Sequence, residues 1–441
     1  MRTRIIAAGG LALLMFAGGA VLMSSEALFG AEPEARRPVP TLAVTEAAVR
    51  ADIDATIAAI QERVRSGAAG ASDFASLGSA YLQKARATAD PTYYRLSGRA
   101  LNKALRFQPE NLPALLGMGE LALGRHDFSA ARRWGQRVLA MDAHNASAYG
   151  ILGDAAVELG RYRDAFHFYQ EMIDLRPSLS SHARVSYARE LTGDVAGAIA
   201  SMKRAVVAGA TAADTSWAHN QLGDLYLNSG RLGAAQREYR TALAIAPDFV
   251  PPDAGLGRVE AARGSTTKAI RRYEAIVDRY PLPQYVTTLG DLYAVNGRNA
   301  EARRQYELVV AQGKLFESAG VIPDVEVTLF LADQGNDPRS AVRLARAQYA
   351  ERPSVRVADA LGWSLFKSGR YTAAQKLSVE ALRLGTRDAS YHYHAGMIAK
   401  AQGDQKAARR HLSRALEINP HFSVLDSVRA ERVLAALRGE R

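Results

Sequence analysis

His392 and His394 are the closest pair of histidines in the sequence. On a helix, residues two apart point to different faces, so this spacing does not predict a shared metal. The other histidines (126, 144, 167, 182, 219, 411 and 421) are scattered. No cysteine is present, which excludes disulfides, thiolate zinc sites, iron–sulfur clusters, a cysteine nucleophile and a lipid-modified N-terminal Cys. Gly117-Met-Gly119-Glu-Leu-Ala122 has the outline of a dinucleotide-binding turn, but no strand precedes it. HExxH, GxSxG and phosphate-loop motifs are absent. A cryptic hydrolase would need a convergent acid/base pair, with Asp291 or Asp359 strongly raised in pKa. The expectation is a protein that is not an enzyme and uses no cofactor or metal.

The 441 residues are 48% hydrophobic and 23% charged, so the chain is not wholly disordered. Lys and Arg number 56 against 45 Asp and Glu, a net charge of +11 that is spread evenly. Without a recognisable module, that charge predicts no nucleic-acid binding. The length suits several domains or one long repeat array.

Arg2 and Arg4 precede Ile5–Met23, 19 residues without a charge. As a helix this run would reach about 28 Å, close to the hydrocarbon core of a bilayer. The basic start predicts a cytoplasmic N-terminus, with everything after Met23 exported. Residues 1–31 read as a cleaved signal peptide or a single transmembrane anchor; the length favours the anchor, while Ser25-Glu26-Ala27 is a poor cleavage site. A buried core helix is a third reading, disfavoured by the flanking arginines. Residues 32–44, with three prolines in Glu32–Pro40, read as an extended linker.

From about Ala71 to Pro420 the chain repeats itself. Glycines at 124, 160, 193, 230, 264, 297, 335, 369 and 403 recur every 33 to 38 residues. An alanine follows each by five or six: 130, 165, 198, 235, 269, 302, 341, 374 and 408. Leu-Gly pairs precede most of them (116–117, 152–153, 222–223, 256–257, 289–290, 361–362), and Trp134, Tyr169, Tyr239, Tyr273 and Tyr306 follow the alanines by four. Gln221–Tyr226 has the apolar spacing of an amphipathic helix, Gly230 supplies a left-handed stop, and Leu232–Ile245 forms a second helix ended by Pro247. Such a hairpin cannot bury its apolar face alone, so successive hairpins must stack. The expected fold is all-α.

These residues resemble the tetratricopeptide repeat (TPR) family. Leu222, Gly223, Tyr226, Ala235, Tyr239, Ala242 and Pro247 meet its pattern, as do Leu289, Gly290, Tyr293, Ala302 and Tyr306. The resemblance implies a right-handed superhelical solenoid of about ten units, beginning near 71, 110, 146, 179, 216, 250, 283, 322, 355 and 389. The fourth unit departs with Val185-Ser186, the eighth with Thr328-Leu329, and 312–323 lengthens a join where the array would kink or split. Residues 45–66 and 424–441 read as capping helices. The first places Val49, Ile53, Ile57, Ile60 and Val64 on one face, and the second carries Val428, Val433, Leu434 and Leu437.

The resemblance further implies a concave groove lined by first helices, which holds a peptide or partner helix. Carried onto this sequence, the groove positions are Asp154, Tyr187, Glu190, Trp217, Asn220, Asp224, Asp291, Asp359, Trp363, Phe366 and Tyr393. That surface is acidic with aromatic patches, so the expected occupant is a segment bearing Lys or Arg, or a polar helix with apolar anchors. Trp217 and Trp363 would be the binding hot spots. Two structural alternatives stand beside this: the short polar residues bond neighbouring helix ends, and Trp363 with Phe366 packs between units. Paired arginines on second helices (132–133, 271–272, 303–304, 409–410) read as solvated outer faces. A peptide-carboxylate clamp is not expected, because Asn220 lacks the matching Lys set. The expected function is a protein-binding scaffold of the bacterial cell envelope. The alternative is an accessory subunit of carbohydrate or cell-wall machinery that stacks Tyr187, Trp217 and Trp363 on sugars.

Overall fold

The computed structural model describes residues 46–88, 90–318, 325–334 and 338–439; the apolar run Ile5–Met23 and the linker lie outside them. The described residues form 22 helices and no strand. The N-terminal helix α1 is Glu46–Arg65. Ten helical hairpins follow. Units one to five pair α2 (Ala71–Thr88) with α3 (Thr92–Phe107), α4 (Leu112–Gly124) with α5 (Phe128–Met141), α6 (Ala146–Glu158) with α7 (Tyr162–Leu175), α8 (Leu179–Leu191) with α9 (Val195–Val207), and α10 (Ala212–Asn228) with α11 (Leu232–Ile245). Units six to ten pair α12 (Val250–Ala262) with α13 (Thr266–Arg279), α14 (Pro283–Val295) with α15 (Asn299–Ser318), α16 (Val325–Gln334) with α17 (Pro338–Glu351), α18 (Val355–Lys367) with α19 (Tyr371–Ala381), and α20 (Ala389–Ala401) with α21 (Gln405–Ile418). The last helix, α22, is Asp426–Arg438. Among the described residues no helix is long and apolar enough to cross a membrane.

Local chemistry sets the ends. Asn111, Asn145, Ser178, Thr211, Ser354 and Asp388 cap first helices by accepting a backbone N–H with the side chain. Most hairpin turns place their repeat glycine in the left-handed region, Gly230 at φ 74° among them. Unit two departs, because its left-handed residue is His126 at φ 61°, two residues after Gly124. The helix that follows is therefore shifted by one: Ala131 is fully buried, and Gly135 stands where other units carry the aromatic residue. Trp134, expected to fill that place, is half-buried beside it.

The hairpins share one apolar seam. Tyr239 packs with Leu222 and Ala235 of its own unit and with Leu256 of the next. Val286, Val309 and Phe330 pack together on either side of the expected break at 312–323, of which residues 319–323 lie outside the description. Ile53, Ile57 and Ile60 of α1 bury against unit one. In α22, Ala430 and Leu434 face the core, whereas Val428, expected on that face, is exposed.

Each unit has a turn edge, between its two helices, and a link edge, where it joins the next unit. The array coils back on itself, so that link edges of units six, eight, nine and ten lie on turn edges of units one, three, four and five. Tyr280 Oη donates to the Ala87 carbonyl (3.5 Å), linking unit six to unit one. The Val355 amide donates to Tyr162 Oη at 2.7 Å, linking unit eight's join to unit three. The Gly385 carbonyl sits over Gly193, and Asn419 Nδ2 donates to the Leu227 carbonyl at 3.0 Å. Buried Arg352 also faces buried Glu158 at 3.9 Å. The lag is five units, or 192–193 residues.

Candidate functional site

One bond recurs across the first helices. Tyr169, Tyr239 and Tyr306 donate their hydroxyls to Asp154 (3.0 Å), Asp224 (2.7 Å) and Asp291 (2.8 Å), each fifteen residues earlier. The geometry follows from the Leu-Gly-Asp triplet. The tyrosine ring lies on the glycine, where a Cβ on Gly223 would come within 2.5 Å of Tyr239, and this aims the hydroxyl at the next residue. These aspartates are therefore bonded within their own hairpins.

Their charges differ in compensation. Arg184, from the next unit, pairs with Asp154 at 2.7 Å, both nearly fully buried. Arg258 reaches back from unit six to Asp224 at 3.2 Å. Burial pushes the Asp224 carboxyl up, and Arg258 offsets only part of this. Asp291 is pushed up to about 7 by burial, and the carboxylates of Asp333 and Asp426 add to the shift. It borders a recess of about 760 Å³ with those two acids, Lys367 and Arg429. Its Tyr306 bond is the one that its counterparts in units three and five make, so the raised carboxyl belongs to the repeat's own framework.

Units eight to ten overturn one expectation. Trp363 is 1% exposed, stacked between Phe366 (4.8 Å) and His394 (4.1 Å), with Tyr393 at 5.6 Å. Its indole N–H donates to Asp333 at 2.9 Å. It is a core residue, as Leu-Gly-Trp places it where sister units hold the bonded aspartate, and it presents no ring for a partner. Asp359 is also buried and contacts His394 Nδ1 at 2.9 Å. Burial alone would depress His394, but Asp359 outweighs it and holds the imidazole above its ordinary pKa. His392 meets His411 instead, at 3.2 Å, so the His-x-His pair goes to separate partners.

Asp154, Tyr187, Glu190 and Asp224 do converge. They line a chamber of about 480 Å³ on the concave side of units three to five. Arg387, Asp388 and Tyr391, from the join into unit ten, close it from the second turn. Glu190 is pushed up to about 7 by burial and by the nearby Asp388 carboxylate. Asp388 is raised as well, by burial and then by Asp359. Trp217 is half-buried on the wall of unit five, and Asn220, buried, donates to Asp224 at 3.2 Å.

Sequence reasoning missed Arg184 and Arg258, although a signal existed. Each stands one repeat after its acid, at separations of 30 and 34 residues. Asp388 and Tyr391 had no local signal, since coiling of the array brings them to unit four.

Tetratricopeptide repeat profiles match residues 116–180, 254–314 and 360–421, and a second such profile matches 218–249. The chain is a tetratricopeptide repeat protein. This TPR protein is 28% identical over 186 residues to the cellulose synthase 1 operon protein C of Komagataeibacter xylinus; the match covers 40% of this chain and 14% of that protein. Among solved structures it is similar to a thermophilic TPR protein of Thermus thermophilus (22% identity, TM-score 0.38, 42% of this chain and 95% of that one). It is also similar to the human IFIT1 dimer with m7Gppp-AAAA (14% identity, TM-score 0.47, 84% and 87%).

Proposed function

We propose that the protein is a non-enzymatic scaffold of the cell envelope, and that its chamber receives a Lys- or Arg-bearing segment of a protein partner. One observation carries this reading. Glu190, Asp224 and Asp388 border one half-open chamber, and burial raises all three carboxyls. A cation entering there would relieve the cost of desolvated like charges. Tyr187 and Tyr391 add aromatic faces suited to a guanidinium or ammonium group. Ile5–Met23 would hold the array at the membrane or direct its export, and N-terminal sequencing of the mature protein distinguishes the two.

The test is a crosslinking pull-down from membranes, comparing the full chain with Glu190→Gln plus Asp388→Asn. The expected result is at least tenfold lower recovery of a partner that added salt also releases. Equal recovery by the variant overturns the reading.

The cellulose-operon relative favours a second reading, an accessory subunit of a polysaccharide machine. Its aromatic set is reduced to Tyr187 and Trp217, because Trp363 is buried. Cello-oligosaccharide binding in calorimetry, lost in Tyr187→Ala, would support it over the cationic segment.

A further inference from the structure

The seam between the turns shows how a link edge covers a turn edge, and each kind of edge also occurs uncovered. Phe107, Met141 and Leu175 stand three residues after buried Ala104, Val138 and Met172, at the link edges of units one to three. Leu384 and Ile418 stand three after buried Ala381 and Ala415, in units nine and ten. The register is the same and the surroundings differ. Ile418 is 5% exposed, with its carbonyl beside Gly230, and Leu384 packs on the cluster around Tyr162. Phe107 and Met141 are 60% and 44% exposed, Leu175 is 37%, and Val207, at the link edge of unit four, is 87%.

The turn edges divide in the same way. Gly160, Gly193 and Gly230 lie against the carbonyls of Pro353, Gly385 and Ile418. Gly264, Gly297, Gly369 and Gly403, in units six, seven, nine and ten, face open space. Ten units with a lag of five make two whole turns. Units one to four of the first turn leave their link edges bare, and units six, seven, nine and ten of the second leave their turn edges bare.

We propose that the protein associates head to tail with a second copy of itself, the link edges of units one, two and four seating on the turn edges of units six, seven and nine of the partner. The contact repeats, between two copies, the link-on-turn interface already present inside the chain. It joins two different surfaces and so is open-ended, unlike a two-fold dimer. Seating would cover the apolar row from Phe107 to Val207, which water now meets.

A chain without cysteine makes the test direct. One full-length chain carries Val207→Cys and another Arg370→Cys, at unit four's link edge and unit nine's turn edge. They are purified in detergent and treated with a short bismaleimide. The expected result is a crosslinked dimer at least tenfold more abundant in the mixture than in either chain alone. Adding Met141→Glu and Leu175→Glu, both at exposed positions, to the Val207→Cys chain should cut that yield at least tenfold with unchanged circular dichroism. Sedimentation velocity on wild-type protein should show mass rising with concentration. A monomer at every concentration overturns the proposal, as does a Val207→Cys chain that crosslinks to itself as well as to its counterpart. The latter result would assign the apolar row to a two-fold contact or to the detergent and lipid surface.

Discussion

Tyr239 donates its hydroxyl to Asp224 at 2.7 Å while its ring rests against Gly223, so one side chain both fills the hairpin and fixes the acid at its mouth. Tyr239→Phe keeps the packing and leaves the buried carboxyl one donor short. The expected cost is about 1–2 kcal/mol, read as a lower urea midpoint. Tyr239→Ala also opens a cavity and should cost about 3–5 kcal/mol. Equal costs for the two would contradict the division of roles.

The seam can be separated from backbone strain with two glycines. Gly264 and Gly160 have left-handed φ values of 77° and 68°, but only Gly160 lies under a carbonyl, that of Pro353. Gly264→Ala should cost about 1–2 kcal/mol from strain alone. Gly160→Ala adds a collision with the second turn and should cost measurably more. Chemical denaturation of the two variants checks this, and matching losses would remove the seam.

Trp363→Ala should destabilise the protein by about 3–5 kcal/mol, since the ring is core to units eight to ten. Trp217→Ala, at a half-buried position, should cost less than half of that. Differential scanning calorimetry on both variants decides it.

The pH dependence of stability has a definite sign. Glu190 and Asp291 rise from ordinary values of 4.5 and 3.8 to about 7 in the folded protein. Their favourable contribution is complete below the unfolded values and is lost as pH rises from about 4 to about 7. His394, held above 6.5, acts in the same direction: its contribution is present below 6.5 and fades as pH climbs through the folded value. Glu190→Gln should therefore raise the melting temperature more at pH 8 than at pH 5. Thermal melts at the two pH values provide the check; a larger gain at pH 5 would contradict it.

The hairpin boundaries were legible in the sequence wherever turn chemistry and period agreed. Leu232–Ile245 between Gly230 and Pro247 is one such case. Legibility failed in unit two, where His126 takes the left-handed position that Gly124 was expected to hold, and the helix register slipped by one. The repeat register of Asp154, Asp224 and Asp291 is legible, but the spacing gives their tyrosines fifteen residues later only a packing role and not the hydrogen bond they make. The chamber was half legible. Tyr187 and Glu190 follow from repeat register, whereas Asp388 depends on superhelical closure after some 190 residues, which no local pattern encodes.

That closure changes how the molecule must come apart and go together. An open stack of repeats gains stability from nearest neighbours and can fray from either end. Here unit ten grips unit five through Asn419 and Leu227, and the start of unit nine grips unit three through Val355 and Tyr162. Contacts this distant in sequence form late, after a large loss of chain entropy. The C-terminal repeats act as a latch whose fastening makes ten weakly coupled hairpins into a single cooperative cylinder. Excising one whole repeat, harmless in a linear array, would throw every clasp beyond it out of phase.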